Sequence, residues 1–224
     1  MRIRKILFYS LNMTILIAGC KEETVVLNNS VSLNYFPTEK GKWIIYDVDS
    51  TYYNDFDSSA HRHLFQLMEK IDSAFIDGEG NSTQRILRFK RDTDSSQWSF
   101  INVWTQTLTN SNAQRVEENI RFVNLGFPVS SSTTWNRNSY NTLGEEEYDY
   151  SDLHSQKTVG NISFDSTLTI SFNDFPNNIY DHFVEEIYAT KVGLIFRKYI
   201  NANKNIGSYY RGIVYYQTIN SFGN

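Results

Sequence analysis

Beyond residue 40, apolar and polar positions alternate with period two along most of the chain. Ser166–Phe172 shows this most cleanly: Leu168, Ile170 and Phe172 fall on one face, Thr167, Thr169 and Ser171 on the other. Successive strand side chains point to opposite faces, so this is a strand with one wet face. Further strands are predicted over Trp43–Ser50, Ile86–Arg91, Trp98–Leu108, Gln114–Val123, His182–Ala189, Val192–Ile200 and Tyr209–Ile219, with another starting at Glu145. In Trp98–Leu108, Trp98, Phe100, Asn102 and Trp104 share a face, opposite Ile101 and Val103. Leu64–Ile76 fits either a helical stripe (Leu64, Leu67, Met68, Ile71) or an alternating one (Phe65, Leu67, Glu69, Ile71). The turn-forming Asp77-Gly78-Glu79-Gly80-Asn81 that follows decides for a strand and hairpin. Leu125–Leu143 reads as loop. Strands this closely spaced leave no room for crossover helices and should pair antiparallel. The predicted fold is mainly β: a single antiparallel, strongly curved sheet or partly open β-barrel, preceded by a signal helix.

The first twenty residues break this pattern. Arg2, Arg4 and Lys5 precede a mostly apolar run, Ile6–Ile17, which ends in Ala18-Gly19-Cys20. The run is too short for a span, which needs roughly 20 apolar residues, and has the form of a secretory signal. Leu16-Ile17-Ala18-Gly19-Cys20 resembles a bacterial lipobox. The resemblance implies cleavage before Cys20 and acylation of its thiol, a palmitate-type anchor in the membrane. Lys21-Glu22-Glu23 resembles the short export tag of surface lipoproteins of Bacteroidota, implying an outer-membrane protein displayed on the cell surface. The expected organisation is a signal peptide over 1–19, a lipidated flexible tether over 20–34 and an antiparallel β domain over 35–224.

Two further segments carry the same likeness. Phe36-Pro37, Gly41 and Trp43 form an opening similar to the F-P-x-x-x-G-x-W start of many uncharacterised Bacteroidota lipoproteins. Glu186-Ile187-Tyr188-Ala189 with Val192-Gly193-Leu194-Ile195 is similar to their E-x-Y-A-x-x-V-G-L-I hairpin. The likeness implies a curved antiparallel sheet and supplies no catalytic residues.

Composition narrows the functions. Formal charge is −4 and becomes −7 once Arg2, Arg4 and Lys5 leave with the signal. That excludes a basic footprint for nucleic acid. Cys20 is the one cysteine, so no disulfide or catalytic thiol is expected. The chain has 15 Tyr, 15 Phe and 4 Trp. Trp98, Trp104, Trp135, Tyr52, Tyr53, Tyr140, Tyr148 and Tyr150 are too many for a small core, so some should be exposed for binding.

Candidate chemistry is sparse. Trp135, Asn136, Asn138 and Tyr140 form a loop offering aromatic and amide groups together, and are the candidate ligand contacts. Ser50, Ser73 and Ser166 lie in Asp-Ser-small sequences that resemble an O-glycosylation sequon. His61 and His63 alternate as a metal pair would, but no spacing selects a third ligand from Asp55, Asp57, His154 and His182, so no metal site is assigned. No nucleophile elbow, P-loop or zincin helix is present, and no catalytic residue or cofactor is assigned. The expected function is a binding or accessory module contacting a glycan or an envelope protein. Two alternatives stand: a carrier of an apolar ligand in a half-barrel, and a hydrolase with an unrecognised carboxylate pair.

Overall fold

A computed structural model describes residues 32–57, 59–174, 179–205 and 207–224. Cys20, Lys21, Glu22 and Glu23 and the signal segment lie outside them. Twelve strands follow in order: β1 (Trp43–Asn54), β2 (Ser59–Ile76), β3 (Ser82–Arg91), β4 (Ser99–Leu108), β5 (Asn112–Glu117), β6 (Ile120–Gly126), β7 (Thr134–Asn136), β8 (Glu147–Val159), β9 (Ile162–Asp174), β10 (Tyr180–Ala189), β11 (Gly193–Asn205) and β12 (Ser208–Gly223). They form one sheet in the order β6-β5-β4-β3-β2-β1-β12-β11-β10-β9-β8-β7, and every ladder is antiparallel.

The two outermost strands are neighbours in sequence, and they curl round to meet. The Val123 amide donates to the Arg137 carbonyl at 2.8 Å, and Trp135 Nε1 donates to the Val123 carbonyl at 3.1 Å. The sheet is thus a nearly closed twelve-stranded barrel. Curling leaves one side-chain parity inside. On β1 and β2, Tyr46 and Val48 face inward opposite Leu67 and Phe65, while Asp47 and Lys70 face water. Period-two patterning therefore holds across the barrel: the helical alternative for Leu64–Ile76 is absent, and Ile101 and Val103 stand outside, opposite the inward Trp104.

Two segments differ from the sequence expectation. Gln114–Val123 is not one strand but the β5–β6 hairpin, turned at Glu118 (φ 47°) and Asn119 (φ 65°). A two-residue turn of this type needs positive φ at both positions, which Asn tolerates better than most residues. The Leu125–Leu143 stretch is not all loop, because it contributes the end of β6 and all of β7.

The Phe-Pro opening closes one end of the barrel. Tyr35 and Phe36 are buried. The Tyr35 hydroxyl lies 2.8 Å from both His154 Nδ1 and Ser166 Oγ. The Asn34 carbonyl accepts from the Lys191 amide at 2.7 Å, and the Pro37 carbonyl accepts from Gln106 Nε2 at 2.7 Å. Ser32 Oγ accepts from the Val129 amide, so Ser32–Asn34, placed in the tether by sequence, are bound to the barrel. Gly193 (φ 99°) makes this approach possible: a Cβ there would stand 3.2 Å from Pro37 Cδ.

The apolar core follows the wall from this plug along β8–β11, through Tyr35, Phe36, Leu168, Ile170, Tyr188 and Leu194, with a second cluster of Tyr46, Leu67, Ile195 and Ile219. The aromatic surplus is absorbed by barrel size. Trp104, Tyr148 and Tyr150 are buried, whereas Tyr52 and Tyr140 stay exposed.

Candidate functional site

The inward face is not all apolar. Among Phe65, Leu67 and Ile71 stands Glu69. Arg88 shares the inward face of β3 with Ile86, and Arg115 that of β5 with Ala113. Glu186 lies between Val184 and Tyr188 on β10, and Arg197 between Ile195 and Tyr199 on β11. Arg137 enters at the seam, just after β7. A charge on a buried parity survives only if paired and hydrogen-bonded, and the barrel pairs these across its lumen.

Glu69 accepts from Arg88 Nε at 3.0 Å and from Arg115 Nη1 at 3.1 Å. Glu186, fully buried, accepts from Arg197 Nε at 2.8 Å, Arg137 Nη1 at 3.2 Å and the Tyr188 hydroxyl at 2.5 Å. Arg197 Nη2 also reaches Glu117 at 3.5 Å. Burial alone would push the Glu186 carboxyl up. The charges of Arg197 and Arg137 and the Tyr188 hydrogen bond overcome it and hold its pKa at about 2. Glu69 is likewise held low by Arg115 and Arg88 against its burial. Burial lifts the Tyr215 hydroxyl to about 12. The lumen is therefore a set of fixed charges and neutral phenols at neutral pH.

Above this network, at the end away from the plug, a cavity of about 300 Å³ opens to solvent. Its floor is Glu186, Arg137, Arg197 and Glu117; its walls are Tyr148, Tyr199, Tyr215 and Phe122; and Glu146, His182 and Leu143 stand at the rim. The Arg137 guanidinium is held between the rings of Phe122 (5.2 Å) and Tyr148 (5.4 Å). His182 Nε2 lies 3.8 Å from Glu146, and its ring meets Phe172 and Tyr199 edge-on. Tyr148 stacks between Trp135 and Phe172. It is 1 % exposed, and its buried hydroxyl has no hydrogen-bond partner among the described residues.

The predicted contact loop has been drawn into the seam. Trp135 packs on Tyr150 with centroids 4.7 Å apart. Asn136 Oδ1 accepts from the amides of Asn138 and Glu146, and Asn138 Nδ2 donates to the Gly144 carbonyl. Tyr140 remains exposed beside Arg121. The residue that enters the cavity is Arg137, lying within the same run. Ser166 is engaged by Tyr35, Ser50 lies opposite Tyr215 and His63, and Ser73 sits at the β2 bulge next to Asp72. His61 and His63 are exposed, and no group of three metal-ligating side chains occurs among the described residues. His154 binds the plug and His182 the cavity, so they are separated. No helix among the described residues is long and apolar enough to cross a membrane.

No short motif contains Glu117, Arg137 or Arg197, and Glu186 opens the E-x-Y-A hairpin without that likeness giving it a role. Their signal was a charge placed on an apolar parity.

The chain matches no protein-family model and no curated protein. Among solved structures it is similar to a proposed exported protein with a YmcC-like fold from Bacteroides fragilis, at 10 % identity over 84 % of this chain and 98 % of that one, TM-score 0.46. It is also similar to a proposed lipoprotein from Parabacteroides distasonis, at 9 % identity with the same coverage, TM-score 0.41.

Proposed function

We propose that this chain is a lipid-anchored binding module of the cell envelope that holds a small polar ligand in the barrel mouth and performs no catalysis. The carrying observation is the cavity at the barrel mouth. Ligand pockets begin at about 300 Å³, and this one sets the rings of Tyr199 and Tyr215 beside the guanidinium groups of Arg137 and Arg197. Flat apolar surface with a few fixed polar groups supports a polar ring compound arriving from outside.

The anchor gives the module its direction. Acylation at Cys20 puts the tether at the plugged end, where Ser32 meets Val129, so the mouth points away from the membrane. With Lys21-Glu22-Glu23 as an export tag, the mouth faces the medium, where a glycan or envelope protein can reach it. Of the three sequons, Ser73 is the one this reading keeps for glycosylation.

The apolar carrier loses support because ion pairs occupy the lumen. The hydrolase loses support because Glu186 stays ionised between two arginines and has no proton to give to a leaving group.

The test is a ligand-observed NMR screen of polar ring compounds on the mature protein and on Leu143→Trp, which fills the mouth at a half-exposed rim position. Binders of the wild type that lose the Leu143→Trp variant support the reading. Binders indifferent to it, or none at all, reject it.

A further inference from the structure

Resting on that binding reading, we infer that the mouth selects an uncharged saccharide, with one ring inside and a second at the rim. The argument starts from charge. The charges of the floor balance, Arg137 and Arg197 against Glu186 and Glu117. At the rim, Glu146 faces His182. A ligand carrying a carboxylate or an ammonium brings a net charge into this balanced site and gives up its hydration to enter, with no unpaired counter-charge on the floor to meet it. An uncharged polyol adds no charge to the balance.

The remaining hydrogen-bonding capacity suits hydroxyl groups. Among the described residues Arg137 spends only Nη1 on a carboxylate, leaving donors free. The Tyr199 hydroxyl accepts from Asn201 Nδ2 and keeps its own hydrogen to give. Glu117 and Glu146 supply acceptors. A sugar hydroxyl both gives and takes one hydrogen bond, so adjacent hydroxyls satisfy such a mixed set. Tyr148, Tyr199 and Tyr215 supply flat apolar surface for the C–H faces of a ring. A cavity of about 300 Å³ has the volume of about ten waters, which suits one ring fully enclosed and another at the opening.

The experiment is isothermal titration of the mature protein and of Tyr199→Phe with three probes at one ionic strength: neutral disaccharides (cellobiose, lactose), their uronic-acid counterparts, and amino-sugar disaccharides. The neutral probes should bind at least about tenfold more tightly than either charged set. Tyr199→Phe should weaken them by about fivefold to tenfold while its circular dichroism spectrum stays that of the folded barrel. Equal or tighter binding of a charged probe overturns the inference, as does unaltered affinity in Tyr199→Phe. If no sugar binds but other polar ring compounds bind in a Leu143-dependent way, the inference falls and the binding reading stands. If nothing binds, both fall.

Discussion

Glu186 is the residue on which the lumen turns, since it joins β10 to β11 through Arg197 and to the seam through Arg137. Removing one partner of a buried pair is far more damaging than the pair is helpful. Arg197→Met takes from Glu117 its ion-pair partner and leaves Glu186 with Arg137 alone, and should lower unfolding free energy by about 3–5 kcal/mol, measured by urea denaturation. Arg62→Ala, which breaks the solvent-exposed pair to Asp49, should leave it nearly unchanged, because water screens that pair. Equal effects would place the stability elsewhere. The same residue sets a pH response. Its carboxyl is held near 2 against an ordinary value of 4.5. A depressed folded pKa gives stability that is present above the unfolded value and lost as pH falls through the folded one. Glu186 should therefore contribute on the order of 3 kcal/mol at neutral pH, lost progressively between about pH 4.5 and 2. Glu186→Gln, compared with the wild type across that range by thermal melting, should flatten this part of the profile. How much of this was legible is itself a matter of parity. Glu69 among Phe65, Leu67 and Ile71 is visible in sequence as a charge on a buried face, as is Glu186 between Val184 and Tyr188. Its partner is not visible. Arg115 meets Glu69 from 46 residues away and Arg137 meets Glu186 from 49, distances that only the strand order closes.

At the scale of elements, the strands and the glycine-marked Asp77–Asn81 turn between β2 and β3 were readable because their signals are local, whereas a turn without glycine and the closures were not. The β5–β6 hairpin hid because Glu118-Asn119 lacks the glycine that usually marks such a turn, and its carboxylate is put to use: Glu118 accepts from Trp104 Nε1 at 3.1 Å and from Asn102 Nδ2. The seam hid because Trp135 and the asparagines after it carry the composition of a binding loop. Their amide groups instead cap a three-residue strand and fix the 137–146 loop. The plug hid because a Phe-Pro pair reads simply as extended chain, and nothing in its spacing says that it crosses the barrel end. That element makes a sharp prediction. Gly193→Ala adds a methyl at φ 99° and 3.2 Å from Pro37 Cδ. Strain at such a position costs on the order of 1–3 kcal/mol, and the crowding should loosen residues 34–37. Hydrogen exchange at the Lys191 amide, bonded to the Asn34 carbonyl, should accelerate well before exchange at the β1–β2 ladder. If both accelerate together, the plug is not a separate element but part of one cooperative barrel.

For the whole molecule, the two ends of the barrel are chemically unlike, and the chain enters at the closed one. Ser32 is docked at the plug and stands twelve positions after Cys20. Fully extended, that stretch spans about 40 Å at most, comparable with the height of a barrel whose strands rise about 3.3 Å per residue. On the proposed acylation of Cys20, the lipid joins the barrel through its plugged end and the mouth should lie on the distal side. On the same proposal the acyl chain consumes the thiol of Cys20, the one cysteine of the sequence, and any introduced cysteine is a unique free thiol. Leu143→Cys places one at the rim, and Glu39→Cys places one at an exposed position just past the plug. On intact cells a membrane-impermeant maleimide should label Leu143→Cys readily and Glu39→Cys several times more slowly, while in detergent extracts both react alike. Labelling of neither on intact cells would place the mouth in the periplasm, and faster labelling at Glu39 would invert the barrel. Replacing Cys20 by Ala should move the protein to the soluble fraction and erase the difference between the two sites, because the asymmetry is a property of the anchor and not of the thiols.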